Sequence, residues 1–443
     1  MALESSLASL ANEVQQFVYE DGVRVELWND FDETGFFRYL RDVTPDGLVQ
    51  GRALKWYVRR SPRAQTGFPK AGANGIKELS HLGNLPEDGE TLAVGLEETF
   101  DRATIQGHEL RRARENAHAF IDLITEANRD MLRVGQKIRG LLAGHGYGRV
   151  AEITSSVSID AGETGVVELA DVNNLLPRMA VDVADNTGEP KSNGIDAEIV
   201  SLDGDYGPGS VIIRNNGQGT LNIASGDTLQ LPQSHNLANL AGVSYAVDDT
   251  GVYPRETPGS TNKGVDRSES QYHRLRARVI EGNSQPISFE HLDDLMLKIN
   301  QNGLQAMAHG LDPEGKPYGY NYTLMMRIEF YYELAKKSRQ IGRQFTIGAP
   351  VEDYGLRRQT YAGIPIMIQP QCSPSDVFLI KWDAARKHFQ ADMEPVNQGA
   401  PWSVMDQSDT LEARYVTDLS WVIQDVQDTG RIRNVKGAGV NNG

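Results

Sequence analysis

The sequence predicts a mixed α+β fold: a long helix, an extended β-hairpin before it, and an all-β module set into a larger mixed body. Three observations predict it. From Gly107 to Leu142 the residues Leu110, Ala113, Ala117, Phe120, Ile124, Ala127, Met131, Val134, Ile138 and Leu141 recur at three-four spacing, the mark of a helix with one narrow apolar seam. Before it, residues 50–106 alternate apolar and polar on two limbs joined by a Gly/Pro-rich tip. After it, residues 150–235 lose helical periodicity, and short β-runs alternate with turn signals.

Composition excludes several classes. The chain has 443 residues, enough for two or three domains. Its formal net charge of −16 argues against generic nucleic-acid binding through a basic surface. The one cysteine, Cys372, rules out an intramolecular disulfide framework and any multi-cysteine metal site. It reads as a packed, inert thiol. No apolar run approaches the ~18 residues of a membrane span. The first residues do not read as a secretory signal; Leu3, Leu7, Leu10 and Val14 suggest a short amphipathic helix. A soluble protein made in a reducing compartment is expected.

Residues 1–49 hold an alternating stretch, Val23 to Trp28, and an aromatic cluster with Phe36, Phe37 and Tyr39. With little apolar content they read as an arm that needs another surface to bury Trp28 and Phe37. In the hairpin, Gly51 to Arg60 puts Leu54, Trp56 and Val58 on one face, and the return limb runs from about Thr91 to Ile105. Residues 50–70 carry six basic and no acidic side chains, among them Arg59, Arg60 and Lys70. Residues 71–106 carry seven acidic, including Glu97 and Glu98, against two basic, Lys77 and Arg102. A two-stranded ribbon is marginal alone, so opposite charge on its limbs suggests docking on a neighbour; an ordinary exposed hairpin is the plainer option. The helix over 107–142 would be roughly 50 Å long, ending at Gly144, Gly146 and Gly148. Its flanks favour a lone helix lying across a sheet over a coiled-coil dimer.

The β-module, a small barrel or sandwich, carries thirteen acidic and three basic residues over 151–235. Its Asp-Gly turns lack calcium-loop spacing. Residues 236–435 return to mixed structure. Ser288 to Asn300 reads as a helix capped by Ser288, and Tyr322 to Ile341 as a second. Thr360 to Gln369 reads as one strand, at an edge because Pro365 lies inside it. Val377 to Trp382 and Ala413 to Gln424 read as further strands. The tail from Lys436 is Gly- and Asn-rich.

No motif carries chemistry. There is no phosphate-binding loop, no G-x-S-x-G elbow and no H-E-x-x-H, and Gly144 to Gly148 follows a helix rather than a strand. The adjacent pairs Asp248-Asp249 and Asp293-Asp294 diverge and read as solvated faces. No catalytic, cofactor or metal residue is expected. One covalent option stays open: given a nearby carboxylate as base, Lys70 or Lys77 could attack the amide of Asn397 on another subunit.

Tyr361 to Met367, Pro370, Asp376 to Ile380 and Glu412 to Trp421, in that order, resemble the C-terminal region of tailed-bacteriophage major capsid proteins of the Hong Kong 97-type fold. Leu240 to Val243 and Gly264 to Ser268 followed by Arg274 to Val279 are similar to the same family. The resemblance implies an N-terminal arm over 1–49, an extended loop over 50–106, and a peripheral domain with a spine helix over 107–149. It implies an insertion domain over 150–235, an axial domain with part of the peripheral domain over 236–400, and peripheral strands and tail over 401–443, with 413–435 beside the spine helix. It implies a non-enzymatic shell subunit that meets copies of itself in pentamers and hexamers, with Trp28, Phe37, Trp56, Arg59, Arg60, Lys70, Lys77, Glu97 and Glu98 as interface candidates. A separate scaffolding protein, a portal, a decoration or cement protein and packaged double-stranded DNA are the partners it implies, with assembly in the host cytoplasm and residence in the virion. A nanocompartment shell of encapsulin type is the rival of the same fold. A carbohydrate-active enzyme, which needs two facing carboxylates and an aromatic cleft, is the rival of another class, and a fibre or decoration protein is a third.

Overall fold

The computed structural model describes residues 36, 40–42, 53–59, 70–71, 77–78, 89–106, 108–109, 117–146, 148–186, 188–204, 207–234, 240–255, 263–300, 322–341, 346–347, 359–361, 364–396, 402–404 and 410–437. The long helix spans Ala117–Gly140 and tightens into a 3-10 turn over Leu141–Ala143. Ile124, Met131 and Leu141 are buried on its seam, as is Asn128, while Val134 of the same seam is exposed. Residues 110–116 lie outside the described residues. The helix lies beside the strand Glu97–Ile105.

That strand belongs to a five-stranded sheet centred on Leu411–Ile423. Glu97–Ile105 runs antiparallel to it, from Ile105 opposite Leu411 to Glu97 opposite Leu419. Ala385–Pro395 pairs on its other side, with Trp402–Val404 alongside. The expected single return limb from Thr91 to Ile105 is therefore two strands. Gly89–Gly95 pairs with Ala53–Arg59, and after Leu96 the chain enters the five-stranded sheet. Both pieces alternate, so periodicity alone could not see the change of partner.

Residues 151–230 build a small barrel. Its six strands lie in the order Ala151–Glu152, Thr228–Gln230, Ala180–Ala184, Ala197–Asp203, Gly209–Arg214, Thr164–Leu169. The two ends meet: Ile153 bridges Leu169, Thr154 N–H donates to Glu168 O and Ala170 N–H to Glu152 O, each at 2.9 Å. Closure leaves no open edge to template pairing with other chains. Val167, Leu169, Val181, Val183, Ile199, Val211, Ile213 and Leu229 are buried. The antiparallel pair Val157–Ile159 with Leu221–Ile223 stands beside it.

The seven-stranded sheet runs Arg278–Pro286, Gly430–Lys436, Val377–Lys381, Tyr322–Met326, Ile364–Ile368, Gln359–Tyr361, Thr346–Ile347. Phe289–Asn300 and Ile328–Ile341 pack on it through Leu292, Leu295, Ile299, Phe330 and Leu334. The first of these helices starts with a reciprocal cap: His291 N–H donates to Ser288 Oγ and Ser288 N–H to His291 Nδ1. Three expectations are corrected here. Tyr322–Met326 is a strand, with the helix starting at Ile328; a central strand buried on both faces is apolar throughout, and no period marks it. The single strand over 360–369 is a tight antiparallel pair, with Tyr361 opposite Ile364 and Thr360 opposite Pro365. Pro365 is inside the sheet, yet the parallel ladder begins only at Ile366 opposite Leu324, so its missing N–H costs no rung there. The stretch 413–435 does not stay beside the long helix, because Gly430–Lys436 joins the seven-stranded sheet.

Charged side chains hold that last strand in place. Arg431 pairs with Asp376 at 2.9 Å and Asp248 at 2.8 Å, and Arg433 reaches Asp248, Asp249 and Glu281. The Asp248-Asp249 pair is thus tied into an ion-pair network rather than left as a solvated face. Arg267 is fully buried between the rings of Tyr245 and Tyr253 and donates to the carbonyls of Tyr245, Ala246 and Asp248. Cys372 is buried, and burial pushes its thiol pKa up, as an inert cysteine requires.

The barrel joins the body at a neck where Gly146 bridges Ala241 and Ser244 N–H donates to Gly144 O at 2.9 Å. His145 sits there. It is half-buried and faces a small cavity lined by Arg149, Asp171, Asn174 and Cys372. Burial, then the charges of Arg149 and Arg431, lowers its pKa from 6.5 to about 3. The imidazole stays neutral in the fold while the unfolded chain takes up a proton, so this contribution is complete above about pH 6.5 and lost as pH falls toward 3. The melting-temperature difference between the parent and His145→Asn is expected to shrink between pH 7 and pH 4. Parallel curves would show that His145 protonates freely in the folded protein.

Candidate assembly surface

The hairpin root is built from Ala53–Arg59 and Gly89–Gly95, in register from Ala53 opposite Gly95 to Arg59 opposite Gly89. Leu54, Trp56 and Val58 alternate inward and, with Leu92 and Val94, join the main core, while Tyr57 faces outward. Ala93 exchanges two backbone hydrogen bonds with Lys263. Glu90 is clamped by Lys263 Nζ at 3.0 Å and by Tyr272 OH, which donates at 2.7 Å. Trp56 is therefore a core residue of this root. Its ring is spent inside its own chain, and it is withdrawn as a contact to a neighbour. Further out, Lys70 stands opposite Glu78 and Ala71 opposite Lys77.

The end of the arm is also anchored. Phe36 packs at 5.7 Å from the Trp382 ring and edge-on at 5.5 Å from Trp421. Leu40 is buried, and Arg41–Asp42 pairs in parallel with Arg386 and Lys387. The arm thus buries the aromatic surface of Phe36 on its own body at this end, whereas the expectation of another surface concerns Trp28 and Phe37. Trp28, Phe37, Arg60 and Asn397 lie outside the described residues, and of Arg59, Lys70 and Lys77 only the backbone is described.

The five-stranded sheet presents a polar face. Glu98 stands opposite Asp418, Phe100 opposite Val416 and Arg102 opposite Arg414. Phe100 is 61% exposed. Glu412 is buried beneath Arg102, at 2.9 Å, and Arg414. Two carboxylates directly across a ladder repel, so Glu98 and Asp418 favour a cation from outside. A groove of about 400 Å³ runs beside this strand, lined by Glu98, Phe100, Asp101, Ile138, Arg139 and Ser234. Arg139 is buried, donates to Thr417 Oγ1 at 2.8 Å and lies over the Phe389 ring. Glu97 is half-buried, and burial raises its carboxyl pKa. No lysine or arginine pairs with it among the described residues. Sequence reasoning singled out Glu97 and Glu98 for their charge but missed Phe100, Asp418, which the register with a distant strand sets opposite Glu98, and the groove, which the long helix and residues 231–234 close.

Among the described residues no group of three His, Cys, Asp or Glu could hold a metal ion. No helix among them is long and apolar enough to cross a membrane.

No family model and no curated protein matches the chain. Solved structures similar to it include phage shells. The cyanophage A-1(L) capsid asymmetric unit is similar at a TM-score of 0.41 and 10% identity, over 89% of this chain and 95% of that one. The procapsid of satellite phage P4 including its size determination (Sid) protein follows at 0.36 and 11%, over 94% and 92%. Mycobacterium phage Ogopogo follows at 0.39 and 8%, over 90% and 92%. At such scores what the chain does has to be argued from its own residues.

Proposed function

We propose that the chain is a major capsid protein of tailed-phage type, a non-enzymatic subunit that self-assembles into an icosahedral shell around double-stranded DNA. The observation that carries the reading is the hairpin root. A ribbon of opposite charge on its two limbs is fixed into the core at one end by Leu54, Trp56, Val58, Leu92 and Val94. A rigid base fixes the direction of whatever the ribbon reaches, which is what a symmetric contact between copies needs. The exposed face at Glu98, Phe100 and Asp418, with Glu97 beside it, is a surface of opposite sign to the ribbon's basic limb.

On this reading Trp28, Phe37, Arg59, Arg60, Lys70, Lys77, Glu97 and Glu98 contribute to contacts between copies around five- and six-fold positions. Residues 1–49 act as arm, 50–106 as extended loop, 107–149 as the spine of the peripheral domain, 150–235 as insertion domain and 236–400 mainly as axial domain. A separate scaffolding protein and a portal guide assembly in the host cytoplasm, and the barrel is the place for a decoration protein. The net charge of −16 suits a lining that tolerates packaged DNA without gripping it.

Electron microscopy of the purified full-length protein is expected to show closed particles, and deletion of residues 61–87 to leave folded, unassembled subunits. A monomer at all concentrations, or a deletion that assembles normally, would sink the reading. Glu97→Gln removes a half-buried charge with no cation paired to it among the described residues. It is expected to raise the melting temperature of the isolated subunit while slowing particle formation followed by light scattering. Faster assembly would show that Glu97 meets no cation on a neighbour. If the amine of Lys70 or Lys77 displaces the amide nitrogen of Asn397 as ammonia to form an isopeptide bond, a ladder of covalent oligomers on a denaturing gel is expected; monomer alone from assembled particles removes that cross-link.

A further inference from the structure

The long helix and the loop between the barrel strands Thr164–Leu169 and Ala180–Ala184 line a pocket of about 210 Å³. Its walls are apolar on both sides: Val134, Ile138 and Leu141 from the helix, Leu176, Pro177 and Met179 from the loop. Three polar residues line the same space, Lys137, Arg178 and Asn174. Lys137 is half-buried and donates to the carbonyl of Leu175 at 3.1 Å. Burial pulls its ammonium below the usual lysine range, and the charge of Asp171 works against that pull. The exposed side chain of Arg178 has no ion-pair partner among the described residues. Asn174 is only 9% exposed, and its Oδ1 makes no hydrogen bond. An amide oxygen only accepts and gives no bond to a carboxylate, so an anion's place in this pocket is at the two cations.

An apolar cleft with a few convergent polar groups, one of them a lysine whose charge is penalised by burial, is the pattern of a small-molecule site. Two cations at such a cleft select an anion, and the apolar walls select a hydrocarbon body. The volume is below the about 300–1,000 Å³ usual for drug-sized ligands, so the ligand is small. We propose that this pocket binds a medium-chain fatty acid, its tail against Ile138, Leu141, Leu176 and Met179 and its carboxylate at Lys137 and Arg178. A carboxylate there adds to the partial compensation that Asp171 already gives Lys137. Because helix and barrel loop each supply half of the walls, an occupied pocket also braces the barrel against the helix.

The test is titration calorimetry of the full chain with octanoate, and with octan-1-ol as the uncharged chain of equal length. Saturable one-to-one binding of octanoate is expected, with octanol at least tenfold weaker. Arg178→Gln, on an exposed side chain, is expected to weaken octanoate several-fold, and Lys137→Met tenfold or more. Circular dichroism establishes that each variant is folded; should Lys137→Met fail to fold, Arg178→Gln alone decides. The proposal is overturned if octanoate does not saturate, if octanol binds equally well, or if the folded variants bind octanoate like the parent. Particle formation is read separately by microscopy, so loss of this site leaves the shell reading standing, and the reverse holds too.

Discussion

Asp171→Asn is expected to remove about 3–5 kcal/mol of stability, the usual cost of breaking a buried ion pair from one side. Arg327 is 1% exposed and lies between the central strand Tyr322–Met326 and the helix Ile328–Ile341. It donates to both carboxylate oxygens of Asp171, at 2.7 and 3.3 Å, and reaches Glu329 at 3.4 Å. Asp171 belongs to the chain just beyond the barrel strand Thr164–Leu169. The pair therefore holds the barrel to the seven-stranded sheet across 156 residues of sequence. Asparagine keeps the shape and one acceptor but removes the nearer of the two carboxylates that offset the guanidinium's desolvation, leaving only Glu329 at 3.4 Å. A typical domain has only about 5–15 kcal/mol in total, so urea unfolding should shift by a large part of its range. Replacing both partners, Asp171→Leu with Arg327→Met, is expected to cost less than Asp171→Asn alone, because the fully buried guanidinium is removed together with its carboxylate and only the less buried Glu329 loses a partner. A loss under about 1 kcal/mol for the single variant would mean that water reaches Arg327 and that the barrel is only loosely held.

Much of the fold was legible where one period ruled a long stretch. The three-four seam gave the helix, whose described part runs Ala117–Gly140, and the regular turns of 150–235 gave a small all-β unit. Legibility failed where the partner, and not the period, decides. Tyr322–Met326 reads as the start of a helix because its neighbours in the sheet come from 364–368 and 377–381. Gly430–Lys436 was hidden by Arg431 and Arg433, charges that suit a sheet interior only because Asp248, Asp376 and Glu281 are brought to them. The site shows the same limit. The charge split of the hairpin can be read from sequence alone, and so can the inward alternation of Leu54, Trp56 and Val58. The choice of Phe36 as the aromatic that docks on Trp382 and Trp421 cannot, since nothing local distinguishes it from Phe37. Nor does sequence set Glu98 opposite Asp418, which depends on a register between strands far apart in the chain.

Gly242→Ala is expected to be nearly as damaging as the loss of Asp171, for a reason that involves no charge. At the barrel's neck two backbone segments cross in contact. A methyl group on Gly242 would sit 2.2 Å from both Gly144 O and Gly146 N. Both obstacles are backbone, so no side chain can swing aside to relieve them. Gly146, on the opposing segment, has φ of +79° and would place a methyl 2.2 Å from Leu240 O, so it is barred twice, by space and by conformation. Overpacking of a close-packed contact costs about 1–3 kcal/mol and sometimes more; with backbone on both sides Gly242→Ala should lie at or above the top of that range. Gly148, two residues on, supplies the control. Nothing lies within 4 Å of where its methyl would go, so Gly148→Ala should be neutral or stabilise slightly by restricting the unfolded chain. The neck also carries the indole of Trp421, whose Nε1 donates to Ala241 O at 3.1 Å. Parting the two segments should therefore redden and weaken tryptophan fluorescence in Gly242→Ala before the rest of the chain unfolds. Equal urea midpoints for Gly148→Ala and Gly242→Ala would mean that the crossing opens at little cost, and that the neck is a hinge and not a fixed joint.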